Sequence, residues 1–292
     1  MSSAAAPLVS VILPVYNAAS GLGAALSSLW AQRPAPGAPL PPFEVLAVDD
    51  GSTDHSPALL EAAARREPRL RVLRRPHQGI AATLNAGLAA ARGRYLARMD
   101  ADDTTHPERL ARQVAHLDAD PGLHLSAGMV DFGGDAVRAG GFAHFVDWQN
   151  SLRSSEDIAR NRFRDTPVCH PSVMFRRAAV ERWGGYADGD FAEDWELWLR
   201  WLDAGARLEK LPLRLLTWND PPGRAPAPTP ATAKRPAMNC APSGWPANWP
   251  AAILSTPRSG CWAPGAWPGG GWPRSGDSAC GPRPISTLIP AK

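Results

Sequence analysis

The sequence predicts an α/β fold with a mostly parallel central sheet, flanked by helices and followed by an irregular C-terminal tail. Three observations predict it. Apolar runs alternate with helical patterns from the N-terminus to about residue 222. Two of the apolar runs, which end at Val48 and Met99, pass directly into aspartates. Beyond residue 222 the periodicity stops, and proline and glycine dominate.

The first 50 residues are typical of a β–α–β unit. Residues 9–15 predict a buried parallel strand, and Ser20 is expected to cap a helix over residues 21–32. A strand over 43–48 follows a proline-rich loop, so we expect a right-handed crossover and parallel pairing. Residues 133–165 give no clear signal. The other expected elements are helix 54–67, strand 70–73, helix 79–91, strand 94–99, helix 107–119, strand 123–132, strand 173–175, helix 193–204 and strand 211–218.

The composition excludes several classes of protein. Residues 1–222 carry 24 basic and 27 acidic side chains, so they lack the basic footprint of a nucleic-acid-binding protein. Only Cys169 lies in this part, which supports neither a disulfide framework nor a zinc site. No signal peptide and no membrane-spanning run is indicated. We expect a cytoplasmic protein, and peripheral attachment to the inner face of the membrane stays open.

The chain divides into two parts at about residue 222. We interpret residues 1–222 as the folded domain and residues 223–292 as a disordered, low-complexity tail rich in Pro, Trp and Arg. The tail holds 14 prolines and five tryptophans but no Glu. Disordered tails are poor in Trp, so out-of-frame translation of a GC-rich bacterial gene is the favoured explanation. A genuine low-complexity tail is the alternative.

A cluster of acidic residues follows the strand expected over 94–99. Asp100, Asp102 and Asp103 lie within four positions, at the carboxyl end of a strand, where α/β sheets bind their ligands. Carboxylates in this position repel one another, and Mg²⁺ or Mn²⁺ would remove the repulsion while bridging to substrate phosphates. The pattern Asp-x-Asp, here Asp100 and Asp102, also occurs at residues 118–120 and 188–190, but there it follows no expected strand. We therefore predict a metal-dependent site for a nucleoside diphosphate after Met99.

A second pair of acids ends the strand over 43–48. Asp49 and Asp50 are expected to lie near the first cluster and to accept hydrogen bonds from a base or ribose. Alternatively, they only start a turn, and Asp54 caps the next helix. A helix N-terminus near Gly79 is suited to approach a phosphate, although a loop glycine needs no ligand.

Six motifs, in this order and spacing, resemble family 2 glycosyltransferases, which have the GT-A fold with its Rossmann-like sheet. The resemblance covers about residues 8–219. The motifs are VSVILPVYN at 9–17, VDDGSTD at 48–54, NAG at 85–87, MDADD at 99–103, HPSVMFRR at 170–177 and AEDW at 192–195.

The resemblance implies a role for each matching position. Pro14, Tyr16 and Asp50 would hold the base and ribose of a nucleotide sugar, usually a UDP-sugar. Asp102 would lie nearest a Mg²⁺ or Mn²⁺ ion, and Asp194 would be the general base of a transfer that inverts the anomeric centre. The donor-side positions together are Pro14, Tyr16, Asp49, Asp50, Gly79, Asn85, Asp100 and Ala101.

The remaining site positions have alternatives. His170 is expected to approach the metal or the diphosphate, and a structural histidine before a proline is the alternative. Glu193 and Trp195 are assigned to the acceptor side, and the acids of this motif also suit a helix N-terminus. Apolar neighbours would raise the pKa of Asp194 and the helix N-terminus would lower it, so the balance stays open. Trp198 is expected in the core.

The sequence therefore predicts an inverting glycosyltransferase that acts on a hydroxyl of a glycan, lipid-linked or other acceptor. A nucleotidyltransferase would want a Gly-rich loop with a basic residue after the first strand, and this chain has Tyr16-Asn17-Ala18-Ala19 there. The other alternative is a truncated or inactive GT-A domain that binds nucleotide without efficient turnover.

Overall fold

A computed structural model describes residues 6–137 and 139–220. The predicted tail, residues 223–292, lies outside these residues. The strands are β1 Val9–Val15, β2 Phe43–Asp49, β3 Leu70–Arg74, β4 Tyr95–Arg98, β5 Thr104–Thr105, β6 Leu125–Phe132, β7 Met174–Arg176 and β8 Leu208–Trp218. The helices are α1 Ala19–Trp30, α2 Ser56–Ala64, α3 Ile80–Ala90, α4 Arg109–Ala119, α5 Gly140–Ser151, α6 Ser155–Asn161, α7 Arg177–Trp183 and α8 Glu193–Asp203, with a 3₁₀ turn at His170–Ser172.

One eight-stranded sheet forms the centre of the described part, in the order β3-β2-β1-β4-β7-β6-β8-β5. The first four strands are parallel, and so is the pair β6–β8. Strand β7 runs antiparallel to both of its neighbours, β4 and β6. The prediction of an α/β fold with a mostly parallel sheet is confirmed.

The first strands are apolar throughout because helices cover both faces of the sheet. Successive side chains of β1 point to opposite faces. Val11 and Leu13 belong to one hydrophobic core, which includes the buried side of α1, whereas Ile12 belongs to the other, which includes α3 and α8. Every residue of β1 and of β2 is buried, as expected for parallel strands between two helical layers.

Two expectations about local structure were wrong. Helix α1 begins at Ala19, so Ser20 lies inside the helix and does not cap it. Strand β8 begins at Leu208, three residues before the predicted position. The stretch 133–165, which gave no clear signal, holds α5 and α6. A capping signal was available for α6, because the Ser154 side chain accepts a hydrogen bond from the Asp157 N–H.

Adjacent leucines on helix α2 provide a test of the core. Leu60 is fully buried, whereas Leu59 is 40% exposed. We expect Leu60→Ala to lower the free energy of unfolding by about 2–5 kcal/mol, since it removes buried methyl groups and leaves a cavity. Leu59→Ala should change it by about 0.5 kcal/mol or less. Urea unfolding of both variants measures the difference, and equal effects would contradict this packing.

Candidate functional site

The two acidic strand ends lie at the same edge of the sheet. Strands β2 and β4 pair with opposite sides of β1, and all three are parallel. In this register Asp49 lies opposite Val15, and Arg98 lies opposite Ile12. Both strands therefore end towards the crevice at the carboxyl edge of the sheet, which is where α/β folds bind ligands.

Three carboxylates after β4 come together. Asp100, Asp102 and Asp103 each offer an oxygen within 4.8 Å of the other two. Asp103 is buried; its Oδ1 accepts a hydrogen bond from the Asn219 N–H at 2.9 Å, whereas its Oδ2 has no hydrogen-bond partner. Burial and the negative charge of Asp100 raise the pKa of Asp103 to about 8. A buried oxygen without a partner among hard oxygen donors is suited to a divalent cation, so these residues fit Mg²⁺ or Mn²⁺.

Two arginines partly balance this negative charge. Arg98, itself buried, contacts the Asp100 carboxylate at 2.6 Å. The guanidinium of Arg109 is buried behind it and donates to the main-chain oxygen of Arg98 at 2.7 Å and to the Gln113 side chain at 2.9 Å. Burial lowers the pKa of Arg109 to about 10, which leaves it charged at neutral pH. The acids are thus held near two fixed positive charges.

Gln113 extends this support to neighbouring elements. Its amide donates to the main-chain oxygens of Ser126 in β6, at 2.7 Å, and Ser172 in the 3₁₀ turn, at 2.9 Å. Together with Arg109 it joins the end of β4 to the turn that carries His170. Such buried, fully paired networks fix the relative position of the segments they join.

Helix α1 contacts the acidic cluster through a glycine. A Cβ atom at Gly21 would lie 2.7 Å from the Cα of Asp102 and 3.0 Å from the main-chain oxygen of Ala101. Any larger residue would push this loop away. Ala101 itself is buried, and its donor-side contact stays a prediction.

Among the positions predicted to bind the donor, Asp50 fixes the start of helix α3. Its carboxylate accepts hydrogen bonds from the N–H groups of Gln78, at 3.0 Å, and Gly79, at 2.9 Å, and contacts the His77 ring at 2.8 Å. Gly79 has φ = +88°, which favours glycine, and caps the helix. In the described structure both residues therefore have a structural role, and their contact with a nucleotide stays a prediction.

The other donor-side positions differ in exposure. The ring of Tyr16 is 49% exposed and stacks on the ring of His77, with centroids 4.2 Å apart. Pro14 is buried within β1. Asp49 accepts the N–H of Ser52 at 3.1 Å, which corresponds to the turn that was the alternative interpretation. Of these positions, Tyr16 is the one with an aromatic face open to a base.

Asp194 lies in the first turn of helix α8. It accepts hydrogen bonds from the Trp195 N–H at 2.8 Å and from the Thr166 hydroxyl at 3.4 Å. Burial, followed by the charge of Glu193, raises the pKa of Asp194 to about 7. Burial is the largest influence on this pKa, ahead of the hydrogen bond from the Trp195 N–H, which lowers it. The indole N–H of Trp195 donates to the Arg162 main-chain oxygen at 2.7 Å, which leaves this half-buried ring in a fixed orientation.

His170 is not part of the carboxylate cluster. Its Nε2 is hydrogen-bonded to the Tyr186 hydroxyl at 2.8 Å, and its Nδ1 lies 3.6 Å from Glu193. Burial and the nearby charge of Arg98 hold the pKa of His170 well below its usual range, so the ring is neutral. These contacts favour the structural alternative over the prediction that His170 ligates a metal.

The acids after β4 and the acids of α8 share one electrostatic environment. Burial raises the pKa of Glu193, and the charge of Asp100 raises it further. Burial likewise raises the pKa of Tyr186, to which Glu193, Asp194 and Asp100 all add. The charge of Asp100 therefore acts on Glu193 and Tyr186, which puts the acids after β4 within electrostatic range of the start of α8, about 90 residues later in the sequence.

Asn85 lies on helix α3. Its side-chain amide is hydrogen-bonded to the main chain of Tyr186 through both its nitrogen, at 2.8 Å, and its oxygen, at 3.0 Å. The predicted contact of Asn85 with a nucleotide sugar is not supported by these bonds.

The chain is similar in sequence to known glycosyltransferases. The sequence model of a family described as "Glycosyl transferase family 2" matches residues 10–184. A putative glycosyltransferase of Bacillus subtilis, EpsE, is 30% identical over 207 residues, which are 69% of each chain. The amylovoran biosynthesis glycosyltransferase AmsE of Erwinia amylovora is 30% identical over 213 residues, which are 70% of this chain and 73% of that protein.

Two solved structures have similar folds. S. aureus TarS, in complex with UDP-GlcNAc, matches with a TM-score of 0.59 and 21% identity over 74% of this chain and 59% of that one. The mannosyltransferase PcManGT from Pyrobaculum calidifontis, in complex with GDP-Man and Mn²⁺, matches with a TM-score of 0.58 and 23% identity over 75% of this chain and 58% of that one. The chain thus spans about three-fifths of these structures, and the likeness concerns the fold.

The glycine contact with the acidic loop leads to a prediction. We expect Gly21→Ala to weaken Mn²⁺ binding about tenfold or more, because the added methyl group displaces Asp102 from the cluster. Mn²⁺ titration followed by electron paramagnetic resonance measures the affinity. The matched control is Gly23→Ala on the same helix, whose Cβ would meet nothing within 4 Å. Equal affinity of the two variants would show that this contact does not position the acids.

Proposed function

Because the chain belongs to glycosyl transferase family 2, we propose that it transfers a sugar from a nucleotide-sugar donor to an acceptor hydroxyl with inversion of the anomeric centre. The family and the GT-A-like neighbours make it a glycosyltransferase, as the sequence predicted. The observation that carries the finer proposal is the shared environment of the acids after β4 and Asp194. A UDP-sugar is the donor class we propose.

The donor diphosphate is proposed to lie at the carboxyl edge of the sheet. Asp100, Asp102 and Asp103 would hold Mg²⁺ or Mn²⁺ there, and the ion would supply positive charge to the departing diphosphate. The presence of Mn²⁺ with GDP-Man in the PcManGT structure supports this assignment. Arg98 holds the Asp100 carboxylate and reduces the repulsion among the three acids, so the cluster keeps its shape before the donor arrives.

The nucleoside end of the donor is proposed to bind beside Tyr16. The stacked rings of Tyr16 and His77 offer a flat surface on which a base can stack. Asp50 accepts hydrogen bonds from the N–H groups of Gln78 and Gly79, directly after His77, and so helps to hold the loop that carries this ring. This arrangement favours stacking as the main recognition of the base.

Asp194 is proposed to accept the proton of the acceptor hydroxyl. A general base is most effective when its pKa is near the working pH, and burial brings the pKa of Asp194 to about 7. Trp195, held by Arg162, lies next to it and offers an aromatic face to a sugar. Direct attack by the acceptor on the face opposite the diphosphate gives inversion in one step.

The names of the relatives support a class of acceptor. They include a succinoglycan biosynthesis protein from Rhizobium meliloti and an O-antigen biosynthesis protein from Myxococcus xanthus. We propose that the acceptor is a growing surface polysaccharide or its lipid-linked precursor, reached from the cytoplasm. Within residues 6–137 and 139–220, no helix is long and apolar enough to cross a bilayer.

A panel of nucleotide sugars with Mn²⁺ tests the proposed function. We expect donor hydrolysis or transfer with at least one UDP-sugar, and we expect Asp102→Ala and Asp194→Asn each to lower turnover by about 10²-fold or more. Asp194→Asn should still bind UDP and Mn²⁺ in calorimetry, since it lies on the acceptor side. The control is Asp120→Asn, because Asp120 belongs to a second Asp-x-Asp pattern, at residues 118–120, that is partly exposed on the surface. Tight UDP binding without turnover of any donor would instead favour the inactive nucleotide-binding domain.

The raised pKa of Asp194 predicts the pH dependence of turnover. A base works in its deprotonated form, so turnover should rise about tenfold per pH unit below pH 7 and level off above it. The hydrogen bond from Thr166 to the Asp194 carboxylate favours the charged form of this group. Thr166→Val removes that bond, so the midpoint of the profile should move to higher pH. Turnover measured at saturating donor from pH 5 to about pH 9 gives both midpoints. A flat profile would exclude Asp194 as the titrating base.

A further inference from the structure

We propose that Asn85 is a positioning residue that connects helix α3, on the proposed donor side, to helix α8, which carries the proposed general base Asp194. The proposal rests on the function proposed for Asp194. It gives Asn85 a role that differs from the nucleotide contact implied by the sequence. The link runs through one short segment, residues 183–186, which is held from both helices.

Asn85 holds this segment from the donor side. Its amide nitrogen donates to the main-chain oxygen of Tyr186 at 2.8 Å, and its oxygen accepts the N–H of the same residue at 3.0 Å. A Cβ atom at Gly185 would lie 2.6 Å from the Asn85 oxygen, so the approach requires glycine at this position. Only an amide side chain of this length both donates and accepts in this geometry.

Helix α8 holds the same segment from the other side. The guanidinium of Arg200 donates to the main-chain oxygens of Trp183 and of Gly185, the latter at 2.7 Å, while it pairs with Glu196 at 2.8 Å. The indole N–H of Trp201 donates to the Gly184 oxygen at 3.2 Å. The segment is therefore fixed against the helix that begins with Glu193 and Asp194.

Tyr186 continues the link to the first turn of α8. Its hydroxyl is hydrogen-bonded to His170 Nε2 at 2.8 Å, and the other ring nitrogen of His170 lies 3.6 Å from Glu193. The His170 ring also meets the edge of Trp198, one of the buried side chains of α8. A shift of the Tyr186 backbone would consequently move the residues that surround Glu193 and its neighbour Asp194.

Helix α3 connects this link to the donor side. Its N-terminal cap, Gly79, is bonded to Asp50, and Asn85 follows on the second turn. A helix is stiff over such a distance, so Asp50 and Tyr186 are held at a fixed separation. Asn85 thereby sets the position of Asp194 relative to the bound donor.

The test compares two asparagines that make the same bonds. The Asn150 side chain on α5 accepts a hydrogen bond from the Val130 N–H at 3.0 Å and donates one to the Val130 oxygen at 2.9 Å, as Asn85 does with Tyr186. These bonds join α5 to β6 and do not involve residues 183–186. Asn85→Asp and Asn150→Asp each keep the shape and lose the donated bond. Both are expected to lower the thermal stability, since each breaks a partly or fully buried hydrogen bond. Only Asn85→Asp should affect the position of Asp194.

Hydrogen–deuterium exchange gives a readout that does not depend on activity. In Asn85→Asp, the amides of residues 183–196 should exchange about tenfold faster than in the unchanged protein, while Asn150→Asp leaves them unaltered. Unchanged exchange in this segment in Asn85→Asp, under conditions where the variant is folded, would overturn the proposal. This result would stand whether or not a donor is turned over.

Binding and turnover separate positioning from direct contact. In Asn85→Asp, turnover at saturating donor should fall about tenfold or more, with the Kd for UDP and Mn²⁺ within about twofold of the unchanged protein. Asn150→Asp should retain both. A Kd weakened more than about tenfold with turnover retained would instead make Asn85 a nucleotide ligand and overturn the proposal. Absence of turnover in the unchanged protein would refute the proposed activity, while the exchange measurement still decides the link.

Discussion

Mutual repulsion among Asp100, Asp102 and Asp103 is the constraint on which the rest of the site depends. The three side chains offer oxygens within 4.8 Å of one another, and the raised pKa of Asp103, about 8, indicates that burial and the charge of Asp100 disfavour a further negative charge there. Fixed positive charge from two buried arginines, Arg98 and Arg109, offsets part of the repulsion, and the backbone that carries the acids is pinned by Arg109. Much of the polar interior between β4, α4 and the 3₁₀ turn thus serves one short acidic loop.

The same low-dielectric interior has opposite effects on the pKa values of an acid and a histidine near the start of helix α8. Burial moves the pKa of Asp194 upwards to about 7 and that of His170 well below its usual range, because burial disfavours the charged form of each group. A neutral histidine has one ring nitrogen that donates a hydrogen bond and one that accepts, which suits a ring placed between the Tyr186 hydroxyl and Glu193. Burial is the largest cause of both pKa shifts, and the charge of Glu193 adds to the first while that of Arg98 adds to the second.

Much of this architecture was predictable from the sequence because its signals are local. A buried apolar run followed at once by acids predicted the ends of β2 and β4, and helical spacing predicted Trp198 in the core. The supports of the site were not predictable, since their partners are remote: Asn85 bonds a residue 101 positions away, and Gln113 bonds Ser172, 59 positions away. Helix α5, whose residues carry little apolar periodicity, was missed for the same reason, as contact with β6 positions it.

The reversed strand β7 has a consequence for how such a molecule diversifies. It separates a parallel half, built from residues before about 104, from a second half that returns to the same edge and carries α8. The second half is nevertheless bonded to the first, because β7 pairs with β4 and Asn219, after β8, is hydrogen-bonded to Asp102 and Asp103. A replacement after β6 must keep these bonds if the acidic loop is to stay in place, so the two halves can vary freely only away from the seam between them.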